Sequence, residues 1–230
     1  MPEPILRLEN VSRTFRDGDN VVHALIDIDL EVRTGELVAI MGPSGSGKST
    51  LLLIAGGLET AETGTVTVEG RPINGAGAAE RAAIRRRGVG YVFQELNLIP
   101  TLTALENVSL PLELDGTRGD AMSIARQSLA DVDLLEEAQR FPDQLSGGQR
   151  QRVAIARALA GPRRLLLADE PTGALDTRTG EDVLKVIRGR VDAGAAGVLV
   201  THDSRHAAWA DRIVFLRDGR VVDTSEGTGP

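Results

Sequence analysis

The chain contains no cysteine, which excludes disulfides, a thiol nucleophile and cysteine-ligated metal. Aromatic residues make up only 3 % of it, so its core has to be aliphatic, built from Leu, Val, Ile and Ala. Long apolar runs are missing too. The longest, around 165–168 and 197–200, reach about six residues with their neighbours, whereas a bilayer span takes roughly 20. No charged start followed by an apolar run opens the sequence, so no signal peptide is expected. Lysine is almost absent: Lys48 and Lys185 are the only two, which makes Lys48 stand out. The net charge of −7 and pI near 5.1 speak against general nucleic-acid binding, which needs a basic footprint. The short clusters Arg85 to Arg87 and Arg150 with Arg152 read as solvated helix faces. No nucleic-acid partner is expected.

What is present fits a globular protein. The 230 residues, 41 % hydrophobic and 26 % charged, suffice for one large α/β domain, or a core with a small inserted subdomain. Strands are predicted over 5–11, 24–32, 36–41, 65–69 and 89–93 from alternation and β-branched content. Helical spacing marks 49–55, 121–132, 148–159 and 180–190, so the stretch from Leu96 to Ala160 reads as mostly helical. Continuous apolar runs at 165–168 and 197–200 read as strands buried on both faces. Residues 203–210 are predicted helical, 212–223 a hairpin turning at Asp218-Gly219, and the tail after Thr224 disordered.

The segment Gly42-Pro43-Ser44-Gly45-Ser46-Gly47-Lys48-Ser49, followed by Thr50, matches the phosphate-loop pattern between a strand and a helix. Its glycines let consecutive backbone N–H groups point at phosphate oxygens. Lys48 is expected to reach the β- and γ-phosphates and Ser49 to ligate Mg²⁺, while the helix start adds a positive dipole end. Far downstream, an apolar strand ends in Asp169-Glu170. Ligands in parallel α/β sheets lie beyond the carboxyl ends of strands, so Asp169 is expected to reach the metal and Glu170 to polarise an attacking water. Without the phosphate loop, the same acids would read as an ordinary strand-to-turn junction.

Leu145-Ser146-Gly147-Gly148-Gln149 stands directly before a helix, with Ser146 as a suitable N-cap and two glycines exposing N–H groups. It makes a second anion site, distant in sequence from the first. Two copies arranged head to tail could each hold ATP between one phosphate loop and the partner's Ser146 turn, with two-fold symmetry.

In the order and spacing of these motifs the chain resembles ABC-type ATP-binding cassettes over nearly its whole length. The resemblance implies an α/β P-loop NTPase (RecA-like) core with an antiparallel β subdomain and an inserted α-helical subdomain. The core would take 1–94 and 164–230, and the helical subdomain 95–163. It also implies roles for residues that carry little weight alone. Phe15 stands where an aromatic stacks on adenine; tyrosine is common there, so phenylalanine departs mildly while keeping the ring face. Gln94 resembles the glutamine that touches Mg²⁺ and the attacking water. Ser146, Gly147, Gly148 and Gln149 form the signature, acting in trans. Asp176 is similar to the aspartate lining the dimer interface, and His202 to the histidine contacting the γ-phosphate. His23 and His206 match no motif and read as structural, and Trp209 as a packing residue.

The run from Phe93 to Pro100, with Leu102 to Val108 and Leu110 to Leu112, resembles cassettes of the macrolide-export, lipoprotein-release and cell-division type. That implies a separate membrane permease, contacted through the surface near 95–110, and a peripheral location on the cytoplasmic face of the membrane. The apolar residues Leu96, Leu98, Ile99 and Leu102 could form such a docking surface or bury into the helical subdomain; both readings stay open. The expected activity is ATP hydrolysis by an ATP-bound homodimer. The alternative is a soluble ABC ATPase acting on nucleic acid or as a mechanical signal transmitter. A guanine-reading Asn-Lys-x-Asp element is absent, which argues against a small GTPase. Stacking on Phe15 would read the base weakly, so GTP stays open as a substrate.

Overall fold

The computed structural model describes residues 3–18, 20–116, 120–173 and 175–227. Two sheets organise it. The antiparallel sheet has the order β2-β1-β4-β5, from β1 (Leu6–Asp17), β2 (Asn20–Val32), β4 (Thr63–Val68) and β5 (Arg71–Pro72). The larger sheet has the order β10-β9-β3-β8-β7-β6. Its strands are β3 (Leu37–Met41), β6 (Val89–Val92), β7 (Leu165–Asp169), β8 (Ala196–Val200), β9 (Arg212–Arg217) and β10 (Arg220–Glu226). All its pairings are parallel except β9 with β10. The expected α/β architecture with an antiparallel β portion is therefore present.

Every residue of β7 and β8 is buried, as their unbroken apolar runs require of central parallel strands. Helices cover the faces: α1 (Lys48–Ala55), α2 (Ala78–Gly88), α6 (Thr177–Asp192) and the single turn α7 (Ser204–Ala207). Between β6 and β7 the chain builds α3 (Ala104–Leu114), α4 (Ala121–Ala130) and α5 (Gly147–Leu159), preceded by a 3₁₀ turn at Pro142–Gln144. One aliphatic core lies between these helices and the sheet, and a second joins α1 to the two sheets. Trp209 packs against the first, as a packing residue should. Among the described residues no helix is long and apolar enough to cross a membrane.

Two sequence expectations need correction. The tail does not lose order at Thr224: β10 pairs with β9 as far as Glu226, opposite Arg212, and Gly227 N–H donates to Asp211 O. Residues 228–230 lie outside the described residues. The helix expected over 203–210 is one turn, because the chain must bend at once into β9. Helix α2 was legible only as an arginine-rich face, since it buries little beyond Ile84 and Gly88.

Helix α5 lies directly on β6. A Cβ added to Gly90 would come within 2.0 Å of Ala158 O, so only glycine permits that approach. Gly90→Ala is expected to destabilise the protein by about 1–3 kcal/mol through overpacking. The check is a lower urea midpoint at unchanged m-value.

Candidate functional site

The parallel strands bring the site together by register. Ile40 at the end of β3 is level with Val200 on β8, Val200 is level with Asp169 on β7, and Ala168 is level with Val92 on β6. Within two residues of these strand ends stand the start of the phosphate loop, Glu170, His202 and Gln94. They line one cleft of about 460 Å³, together with Asp169, Phe15, Gly42, Ser44, Gly45, Gly47, Lys48, Ser49 and Thr50. Two of the predicted loop residues do not line it. Pro43 turns its carbonyl to Lys48, and Ser46 is buried with its hydroxyl unpartnered.

Glycine is required at both ends of the loop. At Gly42 a Cβ would meet Leu216 O at 2.0 Å, and at Gly47, with φ 103°, it would meet Ala24 O at 2.2 Å. Gly47 also ends the loop as the residue before α1, whose first turn carries no acidic side chain. The N–H groups and dipole end of that helix thus stay available to an anion. The Lys48 ammonium donates to Gly42 O and Pro43 O, each at 2.8 Å, which holds it folded across the loop.

Asp169 is 7 % exposed. Burial pushes its carboxyl above the ordinary range, while a hydrogen bond from Ser49 pulls it down; Glu170 then raises it and Lys48 lowers it. A buried carboxylate sharing a hydroxyl beside a lysine fits a hard, oxygen-liganded divalent cation. Among the described residues no three His, Asp or Glu side chains cluster to hold a metal ion by themselves. Gln94 is exposed at the cleft. Behind it Tyr91 and Phe93 stack at 4.1 Å, and burial followed by the charge of Asp169 raises the Tyr91 hydroxyl pKa.

Glu170 occupies the left-handed region, φ 48°, an uncommon conformation for a side chain other than glycine. Its N–H donates to Val200 O at 3.0 Å and its carbonyl accepts from Gly173 N–H. One carboxylate oxygen, Oε1, lies 2.7 Å from His202 Nδ1. This hydrogen bond, then the Glu170 charge, raises the His202 pKa above its ordinary 6.5.

Phe15 lines the same cleft and is 38 % exposed. The Arg13 guanidinium lies 4.7 Å over its ring and is itself paired with Glu59 at 3.2 Å. Val22, across the strand pair from Phe15, and Ala24 complete an apolar wall. The sequence reading missed Arg13, Val22 and Ala24. The two-residue alternation of a strand could have put Arg13 beside Phe15, but the pairing with Val22 depends on the register of β1 with β2.

The signature stands apart. Ser146 to Gln149 line none of this cleft. Ser146 caps α5 as expected: its Oγ accepts from Gln149 N–H at 3.2 Å, and Gln149 Oε1 accepts from Ser146 N–H at 2.9 Å. Gly147 opens the helix, and a Cβ added there would meet nothing within 4 Å. Asp176 caps α6 through Thr179 N–H and lines a second depression shared with Glu170 and His202. His206 bonds Thr172 at 3.0 Å and His23 bonds Thr14 at 3.2 Å, both structural contacts.

A fold with six strands ordered this way, one phosphate cleft and a separate capped Ser-Gly-Gly turn defines a P-loop ATP-binding cassette. The ABC transporter family pattern matches residues 25–173, and the chain belongs to that family. It is 46 % identical to the macrolide export ATP-binding/permease protein MacB of Brucella melitensis, over 97 % of this chain but 35 % of that protein. The chain thus spans about a third of the length of such relatives. It is also 46 % identical to the ABC transporter ATP-binding protein MJ0796 of Methanocaldococcus jannaschii, over 94 % of this chain and 95 % of that one. The dimeric post-hydrolysis structure of MJ0796 bound to ADP and Pi superposes with a TM-score of 0.91, at 42 % identity, covering 96 % of this chain and 98 % of that one.

The contact between His202 and Glu170 sets a pH dependence. A raised pKa means its stabilisation is complete below the ordinary value and fades as pH rises through the raised one. NMR titration of the His202 ring is expected to give a midpoint above 6.5, and Glu170→Gln to move it back toward that value. An unshifted midpoint in the parent protein would show that the pair does not form.

Proposed function

We propose that this chain binds ATP with Mg²⁺, hydrolyses it to ADP and phosphate, and thereby drives a membrane permease. The observation that carries this is the convergence of phosphate loop, Asp169, Glu170, His202 and Gln94 on one cleft beyond adjacent strand ends. The loop N–H groups and Lys48 hold the phosphates, and Phe15 stacks on the base. Ser49, Asp169 and Gln94 would hold Mg²⁺, which when bound neutralises charge on the phosphate oxygens. Glu170 accepts hydrogen-bonding from the attacking water and orients it. His202, already on Glu170, donates toward the γ-phosphate.

Ser146, Gly147, Gly148 and Gln149 act on the nucleotide of a partner copy, with Asp176 at the interface. Their distance from the cleft and the dimeric state of the MJ0796 structures support this reading. ATP favours the closed dimer and ADP the open one, and that differential affinity is the coupling energy.

The permease contact is assigned to the surface near 95–110. Asn107 supports this by fixing the surface: its amide donates to the carbonyls of Ile99, Leu102 and Thr103 and accepts from Ile99 N–H. Of the apolar residues there, Leu98 packs on the core, whereas Ile99 stays exposed and is the one offered to a docking partner. In this account 1–94 with 164–230 and 95–163 are the two working parts, and the chain sits at the cytoplasmic face of the membrane.

Glu170→Gln is expected to slow turnover by about 10²-fold or more, the scale of a lost general base, while still binding ATP. Light scattering after gel filtration is expected to find it dimeric with ATP and monomeric with ADP. Parent-level turnover in this variant would remove Glu170 from the mechanism. Affinity purification from detergent-solubilised membranes checks the permease assignment, which predicts a stoichiometric polytopic partner.

A further inference from the structure

Helix α5 starts at the Ser146 cap and is joined by side-chain hydrogen bonds to the loops that follow Glu170 and Gln94. Two of its side chains hold those loops by their backbone. Gln151, 2 % exposed, donates from Nε2 to Pro171 O at 2.7 Å, and Pro171 follows Glu170, whose left-handed backbone must be held in place. Further along, Arg157 donates through Nη1 and Nη2 to Asn97 O at 2.6 Å and Leu96 O at 2.7 Å. Those carbonyls lie just past Gln94. Burial lowers the Arg157 pKa, and its own carbonyl accepts from the buried Arg163 at 2.8 Å. At 1.5 Å rise per residue, the two struts are about 9 Å apart along a rod whose far end is the signature.

Folding alone does not ask for these residues. The helix already buries Val153, Ala154, Ile155, Ala156 and Leu159, and a buried amide or guanidinium is costly unless its bonds are made. What the pair adds is a fixed relation between Ser146 and the backbone beside Glu170 and Gln94.

We propose that Gln151 and Arg157 are positioning residues that couple the two nucleotide sites of the dimer. Resting on the dimer reading above, α5 meets the partner's nucleotide with its first turn. Any displacement there is carried by the two struts to this chain's own hydrolysis loops. Occupation of one site therefore aligns the other.

The test compares the parent chain with Gln151→Met, which keeps the length but loses the donor, and with Arg157→Lys and Arg157→Met. Three quantities are read: turnover against ATP concentration, affinity for a fluorescent ATP analogue without Mg²⁺, and the melting temperature. The parent is expected to be sigmoidal, with a Hill coefficient approaching the limit of about 2 set by two sites. Gln151→Met and Arg157→Met are expected to fall to about 1, with turnover down about tenfold and analogue affinity within about twofold. Arg157→Lys, keeping one donor, is expected to lie between, and it serves alone if the others fail to fold. Unchanged cooperativity in the variants would overturn the coupling. So would parallel losses of affinity, melting temperature and turnover, the mark of a merely structural role. Dimerisation of Glu170→Gln on ATP separates the two claims: if it stays monomeric, the dimer reading fails and takes the coupling with it.

Discussion

The phosphate loop is wedged between the two sheets, and most of the site follows from how it is held. Gly42 lies against the backbone of Leu216 on β9, and Gly47 against the backbone of Ala24 on β2. Gly219, in the β9–β10 turn, ties the two sides: its N–H donates to Ser46 O, and its carbonyl accepts from Ile26 N–H. A side chain at either loop glycine would force the sheets apart. The same wedge brings Phe15 and Val22, on the antiparallel sheet, to the cleft that Glu170 also lines. The residues proposed for base and phosphate thus come from different sheets, and the loop joins them.

A parallel sheet supplies the rest at little cost in specialised geometry. Adjacent strands ending level with one another deliver Asp169, His202 and Gln94 to the loop from far-separated parts of the chain. The two acids at the end of β7 are then divided by backbone conformation. Asp169 continues the strand and is buried next to Ser49, whereas Glu170 turns through a positive φ to face His202. Consecutive carboxylates thereby acquire different surroundings, as the metal-binding and water-orienting roles proposed for them require.

Much of this was legible in the sequence. The phosphate loop, the apolar strand before Asp169 and the Ser146 cap are local signals, each written within about ten residues, a range over which turn, cap and period rules apply. Gln94 and His202 carry no such signal. They were found because their order along the chain matched a family, and the physical reason for their placement is strand register. Register also hid Val22, and the struts from Gln151 and Arg157 were invisible because they reach carbonyls 20 and about 60 residues away. The extension of β10 past Thr224 escaped because an edge strand with polar residues draws its order from its partner β9.

The account turns on one claim, that ATP is held between the phosphate loop of one copy and the signature of another. The absence of native cysteine allows a direct measurement. One chain carrying Ser44→Cys is mixed with another carrying Ser146→Cys, and oxidative cross-linking is followed with and without ATP. The account predicts a disulfide-linked heterodimer that forms with ATP and is lost with ADP. Two variants that still bind ATP yet never cross-link, or cross-link regardless of nucleotide, would contradict it.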